Sequence, residues 1–368
     1  MPEKFPNPGE GYKIREYLGG GHWKSAYRAT TPFRLADVAV LFFHDNVAED
    51  AIRRDAASLI RAVPGHPYSG YLAQFHSVSV GPDGRLFIVE ELLARPLDRM
   101  APLSDLTQFV RIARDLSRGL TFLHAQKPPL IHRDLKLDNC GLDHQQRAKI
   151  FDLGSVTSEP GDVLGTIFTR APELFKESAK CDTMSDVWAL GATLFALRTG
   201  HYPFVNDADI AERRLINSEL RDGSMSEVDA RKRKDAIDSK IRGRITSASA
   251  ETDLLDKLRE TVRGRSNDIL VAMLRFDPGE RSSAKDAEVA WSSLARELTI
   301  PTGPEMIKGK WDQIKGHLQA VERNETRLTT KQLDRIISDY ETADVQDVEL
   351  AASIRRVKKL LGTKRRPK

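Results

Sequence analysis

The run Ile131-His132-Arg133-Asp134-Leu135-Lys136-Leu137-Asp138-Asn139, followed closely by Asp152-Leu153-Gly154, constrains this chain more than any other stretch. An acid, a lysine and an asparagine stand at fixed offsets on what reads as one loop, with a second acid a short hairpin away. Such a set can deprotonate a hydroxyl and hold a divalent cation beside a triphosphate. Taken singly, Asp134, Asn139 or Asp152 would read as a turn or cap residue. The joint spacing argues for chemistry.

The run resembles the catalytic-loop motif H-R-D-L-K-x-x-N of eukaryotic-type protein kinases at every fixed position, and Asp152-Leu153-Gly154 stands where that family has Asp-Phe-Gly. The resemblance extends from Tyr12 to about Leu298. It implies an α+β protein of two lobes: a small β-rich N-lobe over residues 12–92 and a large helical C-lobe over 93–299. A C-terminal helical module over 304–362 and a basic tail over 363–368 lie beyond it. By the same resemblance Asp134 would accept or orient the proton of the attacking hydroxyl, and Lys136 would neutralise the phosphoryl group in transit. Asn139 and Asp152 would offer oxygens to Mg²⁺, a hard cation shared with the phosphates of ATP. Lys136 matches the Ser/Thr rather than the Tyr branch, so the implied reaction is transfer of the γ-phosphoryl group of ATP to Ser/Thr hydroxyls of a protein.

Two departures stand in the N-lobe. Short strands over Tyr12–Leu18 and Ala26–Thr30 bracket Gly19-Gly20-Gly21-His22-Trp23-Lys24-Ser25, where the family has the phosphate-covering G-x-G-x-x-G. Gly19, Gly20 and Gly21 fit that turn, but Lys24 takes the third glycine's place. Val38-Ala39-Val40-Leu41 then stands where the family has V-A-I-K, so Leu41 replaces the lysine that holds the α- and β-phosphates. In one reading the chain is a catalytically weak or inactive pseudokinase, a nucleotide-binding scaffold with Lys24 a solvated charge. In the other the lysine has moved, and Lys24 reaches the phosphate site from strand two, as in the similar with-no-lysine (WNK) kinases. The intact set of Asp134, Lys136, Asn139 and Asp152 favours the second reading.

The spacing of Ile52, Ala56, Leu59, Ile60 and Val63 predicts a helix over 50–63, on which Asp55 falls where the family's lysine-pairing acid sits. Leu86–Glu91 reads as a buried strand leading to the hinge. There the resemblance makes Glu90 the gatekeeper and assigns Ala39, Glu91 and Leu92 to the adenine pocket. A buried carboxylate needs a partner or a proton. Lys24 is a candidate partner for Glu90, as it is for Asp55; the other reading of Glu90, a register one residue off, puts it at the surface.

Downstream, Phe109, Ile112, Ala113, Leu116, Leu120 and Leu123 form one stripe of a helix over 103–124. Ala171-Pro172-Glu173 closes the activation segment, and Thr166 falls where the family threonine contacts the catalytic Asp and Lys. Ser155, Thr157 and Ser158 are phosphorylation candidates able to pair with Arg133, unless Glu159 and Asp162 fill that place. Asp186 would anchor the catalytic loop, and Arg281 would pair with Glu173. The polar stretch 206–264 reads as an extended helical insertion on the substrate side, or as a solvated face. The peptide-platform residues disfavour phosphoryl transfer to a small molecule.

Composition sets the remaining bounds. With 40% hydrophobic and 30% charged residues the chain is of the ordinary globular class. The formal charge is +4, and eight basic residues lie between Arg355 and Lys368, so the rest carries about −4. That removes the basis for expecting nucleic-acid binding by the whole protein. No run of about 18 apolar residues suggests a membrane span. Cys140 and Cys181 lack metal-ligand spacing and read as buried thiols of a cytoplasmic protein. Past Pro304, one stripe comprises Ile307, Trp311, Ile314, Leu318 and Val321. A capping box runs from Thr329 to Gln332, and a last stripe, Leu350, Ile354, Val357 and Leu361, ends at Gly362. These helices would pack on one another and on the large lobe, or serve a protein partner or self-association.

Overall fold

The computed structural model describes residues 6–9, 11–20, 24–32, 36–44, 69–153, 156–157, 166–299, 318–319, 323, 354 and 356–358. The expected helix carrying Asp55, the turn residue Gly21, and Ser155, Ser158, Glu159 and Asp162 lie outside them, as does most of the expected C-terminal module. By contacts the chain divides into two compact units, Met1–Ala295 and Arg296–Lys368.

The first unit begins with five antiparallel strands: β1 (Lys13–Gly20), β2 (Lys24–Thr30), β3 (Val38–Phe43), β4 (Phe75–Val80) and β5 (Leu86–Glu91). Their order across the sheet is β1-β2-β3-β5-β4, so β3 lies at the centre and is buried along its whole length. Alternate residues of a strand face opposite sides. Val38, Val40 and Phe42 accordingly join Ala29, Phe87 and Val89 in one small apolar cluster. Leu41 and Phe43 face the other way, into the large core with Ile88 and Leu116. β2 starts earlier than expected, and Lys24 is its first residue, paired with Phe43 of β3.

The helical part is organised on two buried helices. α1 (Leu106–His124) is capped by Asp105, whose side chain accepts from the Gln108 N–H at 3.1 Å. Its expected stripe, Phe109 to Leu123, is buried in full. α2 (Thr183–Thr199) begins with a reciprocal cap between Asp182 and Ser185 and ends at Gly200, whose φ of 87° is a left-handed conformation open to glycine at little cost. The stretch 206–264 is the expected helical insertion: α3 (Asp207–Arg221), α4 (Glu227–Ile245) and α5 (Ala250–Thr261). α6 (Arg265–Met273) and α7 (Ala284–Thr299) follow, and α7 sets Trp291 edge-on to Phe109 at 5.7 Å. A second sheet of three short strands, β6 (Arg95–Pro96), β7 (Cys140–Leu142) and β8 (Ala148–Ile150), flanks the catalytic loop.

The expected pair across this part is formed. Arg281, fully buried, donates to Glu173 at 2.8 and 3.1 Å and to the carbonyls of Met184 and Arg275. Removing one partner of such a pair leaves the other uncompensated. Arg281→Leu is expected to cost about 3 kcal/mol, read as a lower midpoint in urea unfolding; an unchanged midpoint would mean the pair is energetically idle.

In the second unit Leu318, Ile354 and Val357, all members of the expected stripes, are buried. Among the described residues no helix is long and apolar enough to cross a membrane.

Candidate active site

The loop 131–139 is held from beneath by α2. Asp186, 1% exposed, accepts from the backbone N–H of His132 at 2.6 Å and of Arg133 at 2.9 Å, and meets His124 Nε2 at 3.0 Å. These bonds hold Arg133 at φ 68°, a left-handed conformation that non-glycine residues reach only against strain. His132 is buried, and burial lowers its pKa and keeps the ring neutral; its Nδ1 accepts from the Asp134 N–H at 3.3 Å. Tyr202 adds a tie the sequence did not announce, its hydroxyl oxygen accepting from the Leu137 N–H at 3.2 Å.

On this base the expected acid set comes together. Lys136 Nζ donates to Asp134 Oδ2 at 2.8 Å and to Thr166 Oγ1 at 3.2 Å. Thr166 donates in turn to Asp134 Oδ1 through its N–H at 3.2 Å and its hydroxyl at 3.3 Å. Asn139 Nδ2 donates to the Asp134 carbonyl at 2.8 Å and to Oδ2 at 3.1 Å. The Asp134 carboxylate is thus oriented by three side chains while remaining partly exposed. Thr157 is tied to the same loop by backbone bonds to Ile131 in both directions, at 2.8 and 3.0 Å.

Across from this set lies Lys24. Its Nζ donates to Asp152 Oδ1 at 2.5 Å, an ion pair between residues at opposite ends of the site. Strand alternation explains the reach. Lys24 and Ala26 share a face of β2, Ala26 is paired with Leu41 of β3, and Leu41 faces the large core. A lysine at position 24 therefore points toward the same interior as position 41, one cross-strand row further along. Among the described residues the ion-pair partner of Lys24 is Asp152 rather than Glu90; Asp55 lies outside the described residues. Burial raises the Asp152 pKa, but the charge and hydrogen bond of Lys24, with smaller effects of His132 and Lys136, together outweigh it and hold the carboxyl below the usual range. Asp152 itself sits at φ 58°, another strained non-glycine position.

Glu90 is buried at 8% exposure, as the gatekeeper register requires, and is paired with Ala39 across β5 and β3. Burial pushes its carboxyl up to about 7; Lys24 opposes that rise, while Asp152 and Glu91 add to it. Between the ordinary 4.5 and about 7 the folded protein therefore holds a proton that the unfolded chain has lost, so stability falls as pH rises through that window. Glu90→Gln is expected to raise the melting temperature over the unaltered protein at pH 8 and not at pH 4.5. Equal differences at both values would refute the raised pKa.

The neighbouring Glu91 uses its carboxylate structurally. It accepts from Lys149 Nζ at 2.8 and 2.7 Å and from the Gln74 N–H at 3.0 Å, and Lys149, 1% exposed, also lies 3.5 Å from Asp143. What remains for a nucleotide at Glu91 and Leu92 is backbone. Gly19 has φ 150°, which favours glycine, and at Gly20 an added Cβ would meet the Tyr17 hydroxyl at 2.7 Å and displace that exposed side chain.

The donor chemistry suits a hard cation. Because Asn139 Nδ2 is committed to Asp134, its carbonyl Oδ1 is the atom turned to any ion, and Asp152 Oδ2 accepts no hydrogen bond from the described residues. Two oxygen donors suit Mg²⁺ shared with phosphates. Correspondingly, no group of three or more His, Cys, Asp or Glu able to hold a metal occurs among the described residues.

A β-sheet lobe, a helical lobe, an anchored H-R-D loop and the Asp134–Lys136–Asn139–Thr166 constellation are the arrangement of the protein kinase class. Residues 82–290, more than half the chain, match the protein kinase domain family, and the chain belongs to it. The match begins after the strands that carry Lys24 and Leu41. Relatives include the DNA damage-responsive serine/threonine-protein kinase RqkA of Deinococcus radiodurans, 33% identical over 54% of this chain and 31% of RqkA. Serine/threonine-protein kinase WNK4 of Rattus norvegicus is 32% identical over 48% of this chain and 14% of its own length. A dual serine/threonine and tyrosine protein kinase of Danio rerio is 42% identical over 34% of the chain and 14% of its own. The aligned part thus spans less than a third of each of these relatives. The chain resembles eukaryotic-type Ser/Thr kinases, WNK4 and WNK3 among them.

Proposed function

We propose that this chain is a Ser/Thr protein kinase that uses ATP and Mg²⁺ and in which Lys24 does the work of the absent strand-three lysine. The observation that carries the reading is the placement of Lys24 Nζ 2.5 Å from Asp152 Oδ1, with Leu41 packed in the core. A solvated loop charge, as the pseudokinase reading requires, would not be 16% exposed and ion-paired inside the site.

ATP with its bound Mg²⁺ supplies the activated phosphoryl group and offsets much of its charge. Asp134, held by Thr166, Lys136 and Asn139, orients the attacking hydroxyl and takes up its proton. Lys136 offers its ammonium to the phosphoryl oxygens in transit. Lys24 turns from Asp152 toward the triphosphate. Asn139 and Asp152 hold the cation. Gly19, Gly20 and Gly21 cover the phosphates, and Ala39, Glu91 and Leu92 line the adenine pocket. The residues between 304 and 362 pack their apolar stripes on one another, or serve a partner or self-association, and the buried thiols Cys140 and Cys181 suit a reducing, cytoplasmic setting.

The test is incubation with labelled ATP and Mg²⁺, with and without a generic protein substrate, beside Asp134→Asn. Label on Ser or Thr that falls by at least about 10²-fold in the variant is expected. Equal labelling by both proteins would assign the signal to a contaminant.

A further inference from the structure

The chain also carries a basic cleft that shares no residue with the Asp134, Lys136, Asn139 and Asp152 set. It has a volume of about 440 Å³ and is lined by Arg170, Leu174, Phe175, Lys176, Glu177 and Arg242. Three cations against one carboxylate leave its lining at +2.

The cleft is built from two distant parts of the chain. Arg170 stands just before Ala171-Pro172-Glu173, and one turn of 3-10 helix, Ile167–Thr169, separates it from Thr166, which is bonded to Asp134. Arg242 comes from the last turn of α4, in the insertion, and donates to the Phe175 carbonyl at 3.4 Å. Arg170 is half-buried with its guanidinium 5.6 Å from the centre of the Phe175 ring, so its position is set by packing. Burial lowers the Arg170 pKa; Asp238 works against this and the like charge of Arg242 adds to it. Among the described residues neither Lys176 nor Arg242 forms an ion pair, although Arg233 on the helix of Arg242 pairs with Glu212 and Glu219, and Arg213 of α3 pairs with Asp238. Positive charge gathered in a concave site, which Arg170 links through one 3-10 turn to the Thr166 bonded to Asp134, is suited to an anion carried by the substrate.

Resting on the kinase reading, we propose that this cleft selects protein substrates with an acidic side chain, aspartate, glutamate or a phosphorylated residue, adjacent to the Ser or Thr that receives phosphate. The guanidinium groups of Arg170 and Arg242 bind that anion, and Lys176 adds charge at the rim. Arg170 and Arg242 are then specificity residues rather than catalytic ones.

The test pairs binding with turnover. Fluorescent serine peptides that differ only in carrying aspartate, phosphoserine or lysine beside the acceptor are titrated by anisotropy against the full chain, and the same peptides are assayed for transfer from labelled ATP. The acidic peptides are expected to bind about tenfold more tightly than the lysine peptide, the scale of one charge-assisted hydrogen bond. Arg242→Glu is expected to reverse that order, which a merely misfolded variant cannot do, and Arg170→Gln to flatten it. Equal affinity for acidic and lysine peptides overturns the proposal, and transfer that continues without such a preference leaves the kinase reading standing while the cleft assignment falls. Preference in binding without any transfer supports the cleft and sinks the kinase reading. A preference that vanishes once the protein has been pre-incubated with ATP assigns the cleft to the chain's own phosphorylated segment and overturns the substrate assignment.

Discussion

Lys24→Met is expected to abolish phosphoryl transfer, lowering kcat by about 10³-fold, or about 4 kcal/mol of transition-state stabilisation. The side chain keeps its length and apolar stem, so β2 still pairs with β3 and the circular dichroism melt stays close to that of the unaltered protein. Asp152 loses its ion pair but is 31% exposed and can be solvated. Leu41→Lys alone is expected to gain nothing. It places an ammonium at a position 5% exposed and packed beside Phe43 and Ile88, at a desolvation cost, while in the proposed reading Lys24 serves the phosphate site. Comparable labelling of substrate by Lys24→Met and the unaltered enzyme would return Lys24 to the status of a loop charge.

Asp152→Ala is expected to remove the dependence of ATP affinity on Mg²⁺. The substitution strips the only carboxylate among the two proposed oxygen donors, and Asn139 by itself offers one neutral carbonyl. It also leaves Lys24 without the partner at 2.5 Å, next to a buried Glu90 whose charge it already influences. Calorimetric titration with ATP, in Mg²⁺ and in chelator, reads both effects. The unaltered protein should bind at least about tenfold more tightly with Mg²⁺, and the variant should show one weak affinity in either buffer. Equal affinities in the unaltered protein would transfer weight from an enzyme to a nucleotide-binding scaffold.

Much of this site was legible in the chain because its parts are local. Asp134, Lys136 and Asn139 fall on one loop whose spacing brings them together wherever that loop is anchored, and Asp152 follows one hairpin later. The stripe of α1 and the caps of α2 are likewise short-range patterns of hydrophobicity and hydrogen bonding. Lys24 could be suspected from sequence because it takes the third glycine's place next to a strand whose lysine is missing, while the face it shares with position 41 follows from the register of β2 on β3.

By itself, then, the sequence determined the kinase family, and it set a lysine at position 24 and a leucine at position 41. Tertiary structure decided what no spacing encodes. It set Lys24 on Asp152, 128 residues away, an acid that the spacing had not offered as its partner. It buried Glu90 and thereby raised its pKa, and it buried Lys149 against Glu91. It also brought Arg242 of the insertion to the wall of a cleft with Arg170. Each of these depends on how sheet, loop and helices close on one another, because desolvation and Coulomb attraction act through space and a side chain's partner is known only once the surfaces that exclude water are in place.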